Sequence, residues 1–195
     1  MATTLACSHT SAPNTTLRPR AARSAATPTL TPQQSGTTNR LQAISAVDDQ
    51  VAWARGVGGT YAVTTDSGTT WRSCVVPGAS ILEFRDVEAQ SDKVAYLLAA
   101  GPGEFSRIYK TRDGGVSWQL GAGTPFPGSV YGLSYVKGMG RTVVATGPGG
   151  AAWSSDEGNS WTDLPGNLDY WAVTFASPTA GWMVGTGGRI VKISF

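Results

Sequence analysis

Three octets in this chain are variants of one pattern: Thr64-Thr65-Asp66-Ser67-Gly68-Thr69-Thr70-Trp71, Thr111-Arg112-Asp113-Gly114-Gly115-Val116-Ser117-Trp118 and Ser154-Ser155-Asp156-Glu157-Gly158-Asn159-Ser160-Trp161. Each opens on a hydroxyl residue, carries Asp third and Gly fifth, and closes on a hydroxyl residue followed by Trp. The aspartates stand 47 and 43 residues apart, a period long enough for one four-stranded sheet. A unit of that size cannot cover its own apolar surface, so copies have to stack on one another, and this dictates the whole fold.

The repeat extends upstream of each octet. Val51-Ala52-Trp53-Ala54-Arg55 leads into Gly56-Val57-Gly58-Gly59, Val94-Ala95-Tyr96-Leu97-Leu98 into Gly101-Pro102-Gly103-Glu104, and Thr142-Val143-Val144-Ala145-Thr146 into Gly147-Pro148-Gly149-Gly150. A fourth copy, Trp182-Met183-Val184 and Gly185-Thr186-Gly187-Gly188, runs on to Phe195 without an octet. Short β-branched and aromatic runs cut by Gly and Pro read as strands and hairpins, with no helical period. In such a hairpin Asp66, Asp113 and Asp156 supply short acceptors for backbone N–H groups of the turn, while Gly68, Gly115 and Gly158 permit positive φ. Trp71, Trp118 and Trp161 then begin the next strand and wedge neighbouring sheets apart from water. The expected fold class is all-β, a small β-propeller of about four four-stranded blades over residues 30–195.

These residues resemble the Asp-box, or BNR-repeat, family, whose motif is Ser/Thr-x-Asp-x-Gly-x-Thr/Ser-Trp and whose members are β-propellers. The resemblance covers about 165 residues, from near Thr31 to Phe195. It looks closest to bacterial BNR-like proteins related to photosystem II stability and assembly factors; sortilin-type receptor domains and sialidases share the box. The resemblance implies a propeller that binds or helps assemble a partner, in an exported, periplasmic or extracellular protein. In that group a segment like Gln33-Gln34-Ser35-Gly36-Thr37-Thr38 precedes the first repeat and resembles the outer strand that closes the ring, although Leu30 stands where the family usually has Trp.

Closure can also be read from the residues themselves. The last repeat stops at its third strand, and the segment beginning near Leu30 has the character of a fourth strand with none before it. The two termini are expected to pair, removing exposed sheet edges. If the ring is instead incomplete, self-association is expected.

Residues 1–29 form a separate leader, rich in Ala, Ser, Thr and Arg and free of acid, without an apolar run long enough for a secretory core or a membrane span. An export remnant, an organellar transit peptide and a tail with no address all fit that composition. The leader also distorts the charge balance. Four of the 15 basic residues (Arg18, Arg20, Arg23 and Arg40) precede residue 41, leaving eleven against all 13 acids, so nucleic acid is not an expected partner.

The same residues exclude much chemistry. His9, the only histidine, lies in the leader, which removes Ser-His-Asp and Cys-His nucleophiles and histidine-based metal sites from the repeats. Cys7 and Cys74 provide no disulfide framework or multi-cysteine metal site, and Cys74 reads as a small core residue. The octets lack the alternating oxygens and distal Glu of a calcium loop, and the glycine runs match no nucleotide-binding loop, so neither metal nor cofactor is expected. Glu83, Asp86, Glu88, Glu104 and Asp169 are the carboxylates left for glycoside hydrolysis, and no spacing singles out a pair.

Aligning the repeats on their innermost strands puts Gln42, Arg85, Tyr131 and Trp171 in register, each just ahead of a shared apolar position. In a propeller they would converge on one mouth of the central channel, where this mixture suits a protein, peptide or glycan ligand. The plainer alternative is that they are strand-start residues used in packing. The favoured function is a non-enzymatic binding or assembly module. An exo-acting, sialidase-like glycoside hydrolase and a truncated repeat fragment with only a structural role are the alternatives.

Overall fold

Runs of β-branched and aromatic residues broken by Gly and Pro form fifteen strands in the computed structural model, which describes residues 27–100, 106–166 and 169–195. Blade 1 holds β1 (Leu41–Ala46), β2 (Ala52–Gly56), β3 (Thr60–Thr64) and β4 (Arg72–Val75). Blade 2 holds β5 (Glu83–Ala89), β6 (Ala95–Ala100), β7 (Ser106–Thr111) and β8 (Gln119–Leu120). Blade 3 holds β9 (Gly132–Tyr135), β10 (Val143–Gly147), β11 (Gly150–Ser154) and β12 (Thr162–Asp163). Blade 4 has three strands, β13 (Tyr170–Ser177), β14 (Ala180–Gly185) and β15 (Arg189–Ile193). All are antiparallel meanders, and the inner strands β1, β5, β9 and β13 carry contacts from each blade to the next. The expected four-bladed all-β propeller is the fold observed. Among the described residues there is no α-helix, only a 3-10 turn at Thr186–Gly188, and no helix long and apolar enough to cross a membrane.

One register recurs in every blade: Ile44 opposite Ala54, Val87 opposite Leu97, Leu133 opposite Ala145, and Val173 opposite Met183. Since side chains alternate along a strand, each sheet turns one apolar face to the blade before it and one to the blade after it. Between blades 1 and 2, Trp53, Tyr61 and Val63 meet Phe84, Val87 and Leu97. The Trp53 and Tyr61 rings stack at 6.0 Å, and Trp118 sets its edge against both. Tyr96, Leu98 and Ile108 face Leu133, Val143 and Ala145 across the next junction, and Val144 with Trp153 faces Val173 and Phe175 across the last.

The octets build the same turn three times. Asp66 Oδ1 accepts from Thr70 N–H (2.9 Å) and the Thr64 hydroxyl (2.8 Å), while Oδ2 accepts from the Thr70 hydroxyl (2.6 Å). Asp113 holds Ser117 and Thr111 in the same way, and Asp156 holds Ser160 and Ser154. Gly68, Gly115 and Gly158, at φ of 79°, 84° and 79°, each donate a backbone N–H to the first hydroxyl of their octet. The hydroxyl bonds hold all three carboxylates below the usual range: Thr70 for Asp66, Ser117 for Asp113 (to about 2), and Ser154 with Ser160 for Asp156.

The turns of blades 2 and 3 also serve the blade before them. Tyr61 donates its hydroxyl to Gly115 O (2.5 Å), and Tyr96 donates to Glu157 O (2.6 Å). Lys110, buried in blade 2, reaches both the carbonyl (2.9 Å) and the carboxylate (2.7 Å) of Glu157, and Arg112 joins it at 2.7 Å. Burial pushes Glu157 up, but the bonds from Lys110 and Arg112 outweigh it and hold the carboxyl below its ordinary value. Nearer the axis, Ser45 Oγ accepts from Ala89 N–H (3.2 Å) and Glu88 Oε1 from Tyr135 N–H (2.9 Å), one blade further on.

Two expectations are corrected. The segment near Leu30 does not complete the last blade: residues 27–38 form no strand, and the sheet ending in β15 has three strands. Gln33 instead accepts from the Trp71 indole (2.8 Å), and Gly36 lies against Ser73, so residues 33–36 are held by blade 1. Cys74 is exposed rather than part of the core, because β4 is an outermost strand with little packed over it. The leader, with Cys7 and His9, falls on residues 1–26, outside the described residues, as does Glu104.

Trp53→Ala should cost about 3–5 kcal/mol of unfolding free energy, measured by urea titration, since it empties a fully buried junction. Stability should also peak between about pH 4 and 5 in thermal melts. The octet aspartates contribute above their ordinary range and lose that contribution as pH falls through their depressed values. Burial raises Glu88 from 4.5 to about 7, so its contribution is full below 4.5 and disappears as pH climbs to about 7. Glu88→Gln should flatten that neutral-side decline.

Candidate functional site

The inner strands begin with an irregularity that brings the candidate residues to one place. The ladder between β1 and β2 passes from Leu41 to Ala43, skipping Gln42; that between β5 and β6 skips Arg85, and that between β13 and β14 skips Trp171. Each skipped residue is the extra member of a β-bulge, a device that re-aims a side chain out of the sheet. Tyr131 immediately precedes β9 and donates its N–H to Thr146 O (2.8 Å).

All four side chains line one open depression of about 500 Å³, together with Arg55, Glu83 and Phe84. The structure thus places the four aligned residues around one depression. Tyr131 and Trp171 stack with ring centroids 4.9 Å apart and planes at 27°, bridging blades 3 and 4. The Arg85 guanidinium also lies over the Tyr131 ring, 5.0 Å from its centroid. The Trp171 indole N–H donates to the Thr186 hydroxyl (3.2 Å), which in turn donates to the Asp169 carboxylate. Trp171 keeps 52% of its surface open to solvent.

Arg55, on β2, was not distinguished by the repeat and proves central to the arrangement. Its guanidinium donates to Gln42 Oε1 (2.8 Å) and to the Arg85 carbonyl, tying the bulges of blades 1 and 2 together. Burial lowers its pKa, and Asp86 and Glu83 oppose that shift. Among the described residues neither Arg55 nor Arg85 forms an ion pair. A repeat position occupied by Leu98, Thr146 and Val184 elsewhere gives no warning of an arginine with this role; only its departure from those types was visible.

The carboxylates considered for glycoside hydrolysis are dispersed. Glu83 lines the depression and Asp169 braces Thr186, whereas Glu88 is occupied at the junction of blades 2 and 3 and Asp86 accepts its own neighbour's N–H from Val87 (2.9 Å). Burial raises Asp86 above the ordinary carboxylate value. Asp66, Asp113 and Asp156 are engaged in their turns and stand away from the depression. What the mouth offers is an aromatic shelf, a guanidinium and amide groups, a set suited to holding a ligand by stacking and hydrogen bonds.

No protein-family profile matches the chain, and no curated protein matches it. Solved structures do. YCF48 bound to D1 peptide is similar at a TM-score of 0.55 and 21% identity, covering 80% of this chain and 64% of that one. YCF48 from Cyanidioschyzon merolae gives 0.53 at 14% identity, covering 81% and 68%. AFV00434, an ancestral GH74 enzyme, gives 0.51 at 16% identity, covering 84% of this chain and 25% of that one. These likenesses show a shared β-propeller fold in proteins that include a peptide-bound one and an enzyme. The chain spans less than two thirds of the first of these structures.

Alanine at Gln42, Arg85 or Trp171 should change unfolding free energy by less than about 1 kcal/mol, because these side chains stand outside the ladders. Arg55→Ala should cost more, about 1–3 kcal/mol, through the loss of two charge-assisted bonds. Urea titration of the four variants checks the order.

Proposed function

We propose that this chain is a non-enzymatic binding module whose mouth holds an extended segment of a partner protein. The observation that carries this is the Arg85–Tyr131–Trp171 cluster, drawn from three blades, with Arg85 and Trp171 presented by bulges and Tyr131 from the residue just before β9. The open face of Trp171 takes an apolar side chain, and the unpaired charge of Arg85 takes a backbone carbonyl or a carboxylate of the same segment. Gln42, held by Arg55, supplies an amide at the far rim.

The fold likeness to YCF48 bound to D1 peptide supports a peptide as the ligand class. A glycan is the alternative occupant, because an exposed indole also packs on a sugar ring. Among the described residues Glu83 is the one carboxylate that lines the depression, so the arrangement favours binding over hydrolysis.

Peptide and glycan arrays probed with the purified chain test this reading. Selected peptides should lose at least about tenfold in affinity with Trp171→Ala and again with Arg85→Ala, each truncation removing more than about 1.4 kcal/mol, while circular dichroism stays unchanged. Selection of glycans alone, or peptides indifferent to both substitutions, would overturn it.

A further inference from the structure

The two end faces of the blade series are the two halves of a junction that the chain already builds three times. On blade 4 the outward face carries Thr174, Trp182 and Lys192, with Trp182 paired to both of the others. In blade 2 the same register positions are Glu88, Tyr96 and Lys110. All three of those grip blade 3: Glu88 accepts from Tyr135 N–H, while Tyr96 and Lys110 donate to Glu157. In blade 1 the positions are Ser45, Trp53 and Val63, and they grip blade 2. Yet Trp182 is 41% exposed where Trp53 and Tyr96 are buried, and Ile190 beside it is 70% exposed.

Blade 1 presents the opposite half. Ile44 and Ala54 occupy the positions of Val87 and Leu97, which receive blade 1's own aromatic face on blade 2. Ile44 is 64% exposed and, with Leu41, Ala54 and Trp71, lines an apolar groove of about 380 Å³. Among the described residues, no strand of blade 4 packs on a strand of blade 1 as extensively as the strands of consecutive blades pack on each other. Single exposed apolar residues are ordinary, but two unmatched faces of one repeated junction call for a matching surface.

A further observation identifies that surface. On blade 3 the Trp161 indole donates to Ala122 O (3.2 Å), and Ala122 N–H donates to Gly158 O, so residues 121–122, leaving the outer strand β8 of the preceding blade, lie over the turn. On blade 1, Gln33 does the same for Trp71 and sits against Gly68. Gln33 thus stands where the outer strand of a preceding blade would end, and β15 is a sheet edge lacking that strand.

We infer that two copies of this chain associate head to tail, the outer face of blade 4 in each copy seated on blade 1 of the other. Trp182 fills the groove beside Ile44, and Thr174 accepts from Ala46 N–H as Ser45 does from Ala89 within the chain. The contact is heterologous, so it either closes into a ring or grows without limit. Two copies give eight blades, inside the usual range of about four to eight, whereas three would give twelve. The peptide reading rests on Arg85, Tyr131 and Trp171, none of which lines this groove; Gln42 alone borders both.

Sedimentation equilibrium of the 195-residue chain should give twice the chain mass, falling to one on dilution. Ile44→Lys and Trp182→Glu, both at exposed positions, should each yield monomers with unchanged circular dichroism. Mixed together, the two variants should again form a two-chain species, since each retains the face the other has lost; an isologous contact gives no such rescue. Monomers at every concentration, masses that increase without limit, association indifferent to either substitution, or failure of the mixture to recombine would each overturn the inference.

Discussion

A sheet that is apolar on both faces must be covered twice, and every other property of this molecule answers to that requirement. Trp53, Tyr61 and Tyr96 meet it with rings large enough to fill a junction and with polar tips that reach across it. Their tips end on a turn of the adjoining blade or on Ser91 beside it, so the apolar contact and the polar register are set by the same side chains. The turns can act as fixed landing points because their own aspartates have already tied them down. Rigidity within a blade and alignment between blades are thus one arrangement, which is how a stack of nearest-neighbour contacts behaves as a unit.

That arrangement was largely legible in the residues. The spacing of Asp66, Asp113 and Asp156 gave the blade period, and the shared apolar position at Ile44, Val87, Leu133 and Val173 gave the register of the inner strands. Both depend on local chemistry repeated at one interval, which a single sequence displays directly. The convergence of Gln42, Arg85, Tyr131 and Trp171 followed from the same alignment, because equivalent positions in a cyclic stack face a common axis.

What was hidden depended on partners distant in sequence. The bulges that free Gln42, Arg85 and Trp171 are set by how each inner strand meets its neighbour, and no residue type announces them. Arg55 belongs to an otherwise ordinary strand, and its role exists only because Gln42 and the Arg85 carbonyl lie within reach. The extended look of residues 33–38 suggested pairing with the last blade, but one glutamine amide facing an indole N–H outweighs strand character. Cys74 looked apolar by context, and its place on β4, the outermost strand of blade 1, leaves it in water.

The bulges carry a consequence for how such a protein can diversify. Three inner strands contribute a bulged residue that the ladder skips, and the fourth offers Tyr131 from just before its first paired residue, so the side chain at each position can drift without disturbing the scaffold that displays it. Selection then acts on a short word spelled one letter per blade, here Gln, Arg, Tyr and Trp, while the grammar of turns and junctions stays constant. Duplicating or losing a blade would lengthen or shorten that word by a single letter.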